Sequence, residues 1–140
     1  MNITESYALN EKYLPSIPVP HDCVIKEISL QDGWLILTFE NDISRYDSIC
    51  HIHPNAQTLT MKIHLTDEED IELLAYEHRK YEDVYVVRKR KKLFDLAKKS
   101  WDLEYLYHKV AYGTMQLELI AETNYIVHLY ADRVIMEWQM

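Results

Sequence analysis

Residues 57–66 read Gln-Thr-Leu-Thr-Met-Lys-Ile-His-Leu-Thr, with Leu59, Met61, Ile63 and Leu65 alternating strictly with Thr58, Thr60, Lys62 and His64. In an extended strand successive side chains point to opposite faces, so this segment has one apolar and one wet face. An antiparallel sheet with one face on a core and the other in solvent accommodates that pattern. Upstream, Val24, Ile28 and Leu30 fall on one face of a strand that ends at Gln31-Asp32-Gly33. Asp-Gly is a hairpin signal because glycine takes positive φ at little cost. Trp34 to Glu40 returns as the partner strand, with Leu35, Leu37 and Phe39 on one side. Asn41-Asp42 marks a further turn, and Ile43 to Ile49 reads as a third strand.

Downstream the signals divide. Thr66-x-x-Glu69 fits a capping box, and Ile71, Leu74, Ala75 and His78 fit helical spacing. Asp70 to Glu77 also fits a strand hairpinned to Tyr81–Lys91, where Val84 and Val86 alternate with Tyr85 and Val87, and this strand pair is the favoured reading. A helix is predicted between Asp95 and Tyr112, with Asp95 as N-cap, Gly113 just past its end and Lys109 near its negative C-terminus. Leu96, Leu103, Leu106, Tyr107 and Val110 would form its inner side. Met115–Glu122, Tyr125–Ala131 and Arg133–Gln139 read as three closing strands, with turns at Thr123-Asn124 and Asp132. The expected class is α+β: a large, mainly antiparallel sheet with one principal helix packed across it. Pro15, Pro18 and Pro20 disfavour helix before them, so residues 1–20 are expected as an extended lead-in to a single α+β domain over 21–140.

Composition excludes several functions. The 140 residues include two glycines, Gly33 and Gly113, too far apart for a Gly-rich phosphate loop, a dinucleotide fingerprint or a G-x-S-x-G elbow. Twenty-three acids against fifteen Lys and Arg give a formal charge of −8, which disfavours nucleic acid and anionic membranes as partners. Residues 78–109 depart from that balance, with ten basic side chains against five acids, a local +5 that leaves −13 on the remainder. The start lacks a basic n-region and an apolar run, and the longest aliphatic and aromatic runs are four residues, so neither a secretory signal nor a membrane span is expected. Cys23 and Cys50 form no C-x-x-C pair, and the plain expectation is a cytoplasmic protein with reduced thiols.

Chemistry-bearing residues are sparse. His51 and His53 in Cys50-His51-Ile52-His53 would share one face of a strand, and Asp22, His21 or Cys50 would complete a metal site if the segments met. The same residues serve as turn residues before Pro54 and as small core residues, and neither metal nor cofactor is expected. Glu104 and His108 stand at i and i+4 of the proposed helix, where a carboxylate can orient an imidazole, but exposed pairs of this kind are commonplace. Arg88-Lys89-Arg90-Lys91-Lys92 suits a solvated edge or strand end, since alternate strand residues face opposite ways. Tyr105, Tyr107 and Tyr112 cannot all face inward on one helix, so together with Arg88 and Arg90 they are the candidate partner contacts.

In general character, being small, acidic and without a catalytic signature, the chain is similar to the immunity proteins that neutralise bacterial toxins. The likeness is one of class and brings no site residues with it. It implies a non-enzymatic domain that docks a protein partner, here a basic one. A small metal-dependent or acid–base enzyme using the histidines is the alternative, and an accessory homodimer the third reading.

Overall fold

The computed structural model describes residues 1–98 and 101–140. Nine strands make up the framework of the described residues: β1 (Asn2–Ala8), β2 (Val24–Gln31), β3 (Trp34–Phe39), β4 (Thr58–Leu65), β5 (Glu72–His78), β6 (Asp83–Arg88), β7 (Leu103–Ala111), β8 (Thr114–Ile120) and β9 (Asn124–Gln139). All the pairings are antiparallel. The fold is therefore mainly sheet. The helical parts described are two short 3-10 segments, Ile43–Arg45 and Arg90–Lys98, and the one-turn helix α1 (Asp47–Cys50).

The long strand β9 organises the rest. Its first half pairs with β8 and β5, and its second half with β4 and β1. From β4 the sheet runs through β3 and β2 to β7 and β8 and so returns to β9, curling round a single core. The seam between β2 and β7 is thin, with Val24 opposite Glu104 and Ile25 opposite Leu103. Inward residues of every strand but β6 meet in or pack against that core, among them Leu35, Leu37, Phe39, Met61, Tyr105, Leu117, Val127 and Trp138. Leu9 and Ile17 of the N-terminal segment join it, as do Leu93 and Leu96 of the 3-10 helix.

The strand period held best where the alternation was strict. β4 buries Leu59, Met61, Ile63 and Leu65 and leaves Thr58, Thr60, Lys62 and His64 half-exposed. The hairpin of β2 and β3 turns at Asp32 (φ 51°) and Gly33 (φ 82°), consecutive left-handed residues of the kind a tight hairpin needs. β5 and β6 form the favoured strand pair rather than a helix, with Ala75 opposite Val86 and Tyr76 opposite Tyr85.

Five readings are corrected, and β-bulges account for most. Of the predicted helix over Asp95–Tyr112, the residues up to Lys98 end the 3-10 helix and Leu103–Ala111 form β7, while residues 99 and 100 lie outside the described residues. Between Tyr105 and Tyr107 the β7–β8 register slips by one residue, so the inward set is Leu103, Tyr105, His108 and Val110. That bulged spacing of two, three and two mimics a helical period, and Gly113 (φ 72°) closes the β7–β8 hairpin rather than a helix. A second bulge, between Ile25 and Glu27, makes Ile25 rather than Val24 the inward partner of Ile28. A third leaves Asp132 between Ala131 and Arg133 without a partner on β4, so Asp132 bends one continuous β9 instead of separating two strands. Ile43–Ile49 is no strand. Asp42 turns at φ 57°, and Ile43 and Ile49 are buried from the 3-10 segment and α1. Residues 2–8 of the expected lead-in are strand β1, hydrogen-bonded along β9 from Asn2↔Gln139 to Ala8↔Arg133.

No helix among the described residues is long and apolar enough to cross a membrane.

Candidate functional site

The histidines separate rather than converge. His51 and His53 follow α1 in a turn, so the shared strand face does not exist. His51 is exposed, whereas the His53 ring packs on Trp138 with centroids 4.5 Å apart and its Nε2 lies 3.5 Å from Glu5 Oε2. Asp22 (φ 66°) sits beside His21, whose Nδ1 meets the Leu106 carbonyl at 2.7 Å. Among the described residues no three His, Cys, Asp or Glu side chains gather in a way that could hold a metal ion. Cys23 is buried and Cys50 half-buried, both unbridged, and burial pushes the Cys23 thiol up to about 11.

The expected Glu104–His108 pair is also undone, because the bulge at Leu106 sends the two side chains to opposite faces of β7. His108 points inward. Its Nε2 lies 3.1 Å from the Ile17 carbonyl and its Nδ1 lies 2.6 Å from the Tyr105 hydroxyl. A carbonyl can only accept, so Nε2 carries the proton and Nδ1 accepts from Tyr105. Burial lowers the His108 pKa and raises that of Tyr105. With Nε2–H given to the Ile17 carbonyl and Nδ1 accepting from Tyr105, His108 ties the N-terminal segment to the core.

The tyrosines divide in a way the sequence did not resolve. Tyr105 is fully buried and cannot touch a partner, which removes it from the candidate contacts. Tyr107 and Tyr112 are 49% and 68% exposed. Tyr107 belongs to a wider surface that periodicity conceals: the outer face of β7, β8, the first half of β9, β5 and β6. The cross-strand register aligns Tyr107, Glu118, Ile126, Leu74 and Val87 in one row across the five strands. Beside it lie Tyr76 and Tyr85, whose rings meet edge to face at 5.7 Å. Val87 is 66% and Tyr85 45% exposed. A shallow hollow of about 150 Å³ runs over this face, lined by Tyr85, Leu106, Glu118, Asn124 and Ile126. Sequence reasoning missed Leu74, Val87 and Ile126 because isolated outward apolar residues read as ordinary strand formers. The signal was there in β6, where Val84–Val87 is apolar on both faces.

Charge frames the face on two sides. Asp67–Asp70, in the loop entering β5, are all exposed. Arg90 reaches it, donating to the Glu68 carbonyl at 2.7 Å with Glu69 at 3.9 Å. Arg88 pairs with Glu77, which Arg79 also meets at 3.0 Å, and the two arginines hold the Glu77 carboxyl below its usual value. Arg88 and Arg90 thus neutralise acids of their own chain, while Lys89 and Lys91 are exposed at the end of the sheet. No family model matches this chain, and neither does any curated protein or solved structure.

Proposed function

We propose that this chain is a non-enzymatic protein-binding domain of immunity-protein-like character that works in the reducing cytoplasm and docks a basic protein. The docking surface is the outer face carrying Tyr107, Ile126, Leu74, Tyr85 and Val87. The carrying observation is that one row across five strands brings Tyr107, Ile126, Leu74 and Val87 onto the same face with Tyr85 beside them, and that Tyr107, Tyr85 and Val87 stand 49%, 45% and 66% exposed there. Contiguous apolar area on a folded domain marks an interaction site, and tyrosine supplies large contact area at low entropic cost. The net charge of −8 and the exposed Asp67–Asp70 loop favour a cationic partner, whose association steering would hasten and salt would slow. The same charge opposes nucleic acid, and within the Arg88–Lys92 run Arg88 already pairs with Glu77 and Arg90 with Glu69.

The test is a binding titration against a panel of basic proteins, duplex DNA and single-stranded RNA at about 0.15 M salt. A basic protein should bind the native chain, bind less at higher salt, and lose affinity for a Tyr107→Asp, Ile126→Asp variant. Trp34→Asp on the other outer face should bind as the native chain does. Submicromolar nucleic-acid binding, or protein binding indifferent to the Tyr107 and Ile126 changes, would refute the assignment.

A further inference from the structure

Strand β6 ends the sheet, with β5 on one side and, among the described residues, no strand paired on the other. The Arg79 N–H donates to the Glu82 carbonyl at 2.9 Å, and the register continues as Glu77↔Val84, Ala75↔Val86 and Leu73↔Arg88. In an antiparallel pair the hydrogen-bonded positions recur at every second residue. Backbone groups of Val84, Val86 and Arg88 therefore turn to β5, and those of Asp83, Tyr85 and Val87 point outward. Proteins protect such an edge with prolines, bulges, or charges within the strand. β6 has none of these across Val84-Tyr85-Val86-Val87, and its charges stand at the two ends, Glu82-Asp83 before and Arg88-Lys89 after.

That distribution is self-complementary. A two-fold axis normal to the sheet requires a residue of β6 to face its own copy. With Val86 at the axis, Tyr85 and Val87 of one copy oppose Val87 and Tyr85 of the other and exchange their outward backbone hydrogen bonds. The same register sets Asp83, whose carboxylate also meets His78 Nδ1 at 2.5 Å within its own chain, opposite Lys89 at both ends. Asp83, Tyr85 and Val87 lie on the outer side and Lys89 follows directly after the strand, so the aromatic–aliphatic row Leu74–Val87 would continue into Tyr85 and Tyr76 of the second copy. We infer that β6 is a homodimerisation edge, closed by a second copy of this chain in the antiparallel register centred on Val86.

This pairing needs no other protein, so its failure and that of the partner-binding assignment are distinguishable. Sedimentation equilibrium on the full chain at about 100 µM should show a dimer that dissociates on dilution. Val87→Pro removes an N–H aimed at the free edge and leaves the β5–β6 bonds intact, so it should give a monomer with a native circular dichroism spectrum. Asp83→Lys and Lys89→Asp should each weaken association about tenfold, since each replaces two attractive pairs with repulsive ones. The double exchange should restore most of it. A native chain monomeric at that concentration overturns the inference. So does a dimer unaffected by Val87→Pro and by the single charge reversals, or a charge exchange that fails to rescue.

Discussion

Along β9, Tyr125, Val127 and Leu129 in the first half and Val134, Met136 and Trp138 in the second all point into one core. The outward residues of the two halves face different surroundings. Ile126 lies between Leu74 and Glu118 on a face that continues to Val87 and Tyr107. Ile135 lies between Lys62 and Ser6, beside a Lys62–Glu137 ion pair at 2.9 Å and the threonines Thr4, Thr58 and Thr60. One strand thus carries a uniform interior and two different exteriors: Ile126 has Leu74 on one side and an ion-paired Glu118 on the other, while Ile135 shares a hollow with Trp34 and Ile36 beside the Lys62–Glu137 pair. Folding demands the interior and is nearly indifferent to the choice outside, so the outer difference is the part that folding does not explain.

The sharpest way to break the comparison is from within. Trp138 is buried, packs on His53, and donates its Nε1–H to Glu5 at 2.6 Å. Trp138→Ala should cost about 3–5 kcal/mol in urea unfolding, because a large cavity opens and a partly buried carboxylate loses its donor. Ile135→Ala, three residues away on the outer side, should cost under about 1 kcal/mol. Equal losses at the two positions would mean that the outer face of the second half is also packed.

His108 allows an intermediate test of the interior through pH. Its folded pKa is lowered by burial, while in the unfolded chain it titrates at about 6.5. The unfolded state therefore binds the proton more readily, and stability must fall as pH drops through that value toward the lowered native one. His108→Gln can still accept from Tyr105 and donate to the Ile17 carbonyl but cannot titrate. Unfolding free energies measured between pH 7.5 and 5, about the range over which histidine changes charge, should fall more steeply for the native chain than for the variant. Parallel profiles would show that His108 does not titrate against burial.

What the sequence disclosed follows from the same division. Strict alternation in β4 and the Asp32-Gly33 turn were legible because each is a local pattern with one physical reading. β7 was misread as helix because its bulge at Leu106 depends on pairing with β8, and no local signal distinguishes a bulged strand from a helical period there. Tyr107, expected on the inner side of a helix although also a candidate contact, is exposed on β7, and Tyr105, another candidate contact, is buried, both because a bulged strand stands where a helix was expected. Leu74, Ile126 and Val87 come from three strands far apart in sequence, so their common row appears only once the register is known.

The smallest effect is the one that most sharpens the contrast. If the apolar face serves partners rather than folding, Ile126→Ser should change unfolding free energy by no more than about 0.5–1 kcal/mol, as for a surface strand position. Ile135→Ser on the polar face should behave alike, since both side chains are half-buried on an outer surface. The pair would then separate in a different measurement. Binding of a hydrophobic dye such as ANS, which reports accessible apolar area, should drop for Ile126→Ser and stay unchanged for Ile135→Ser. A large loss of stability at Ile126 with none at Ile135 would instead make the aromatic face part of the fold's own packing. In that case Tyr85, Leu74 and Ile126 would form a second, minor core on the outside of the sheet, and the docking surface would have to be sought among the threonines of the other half.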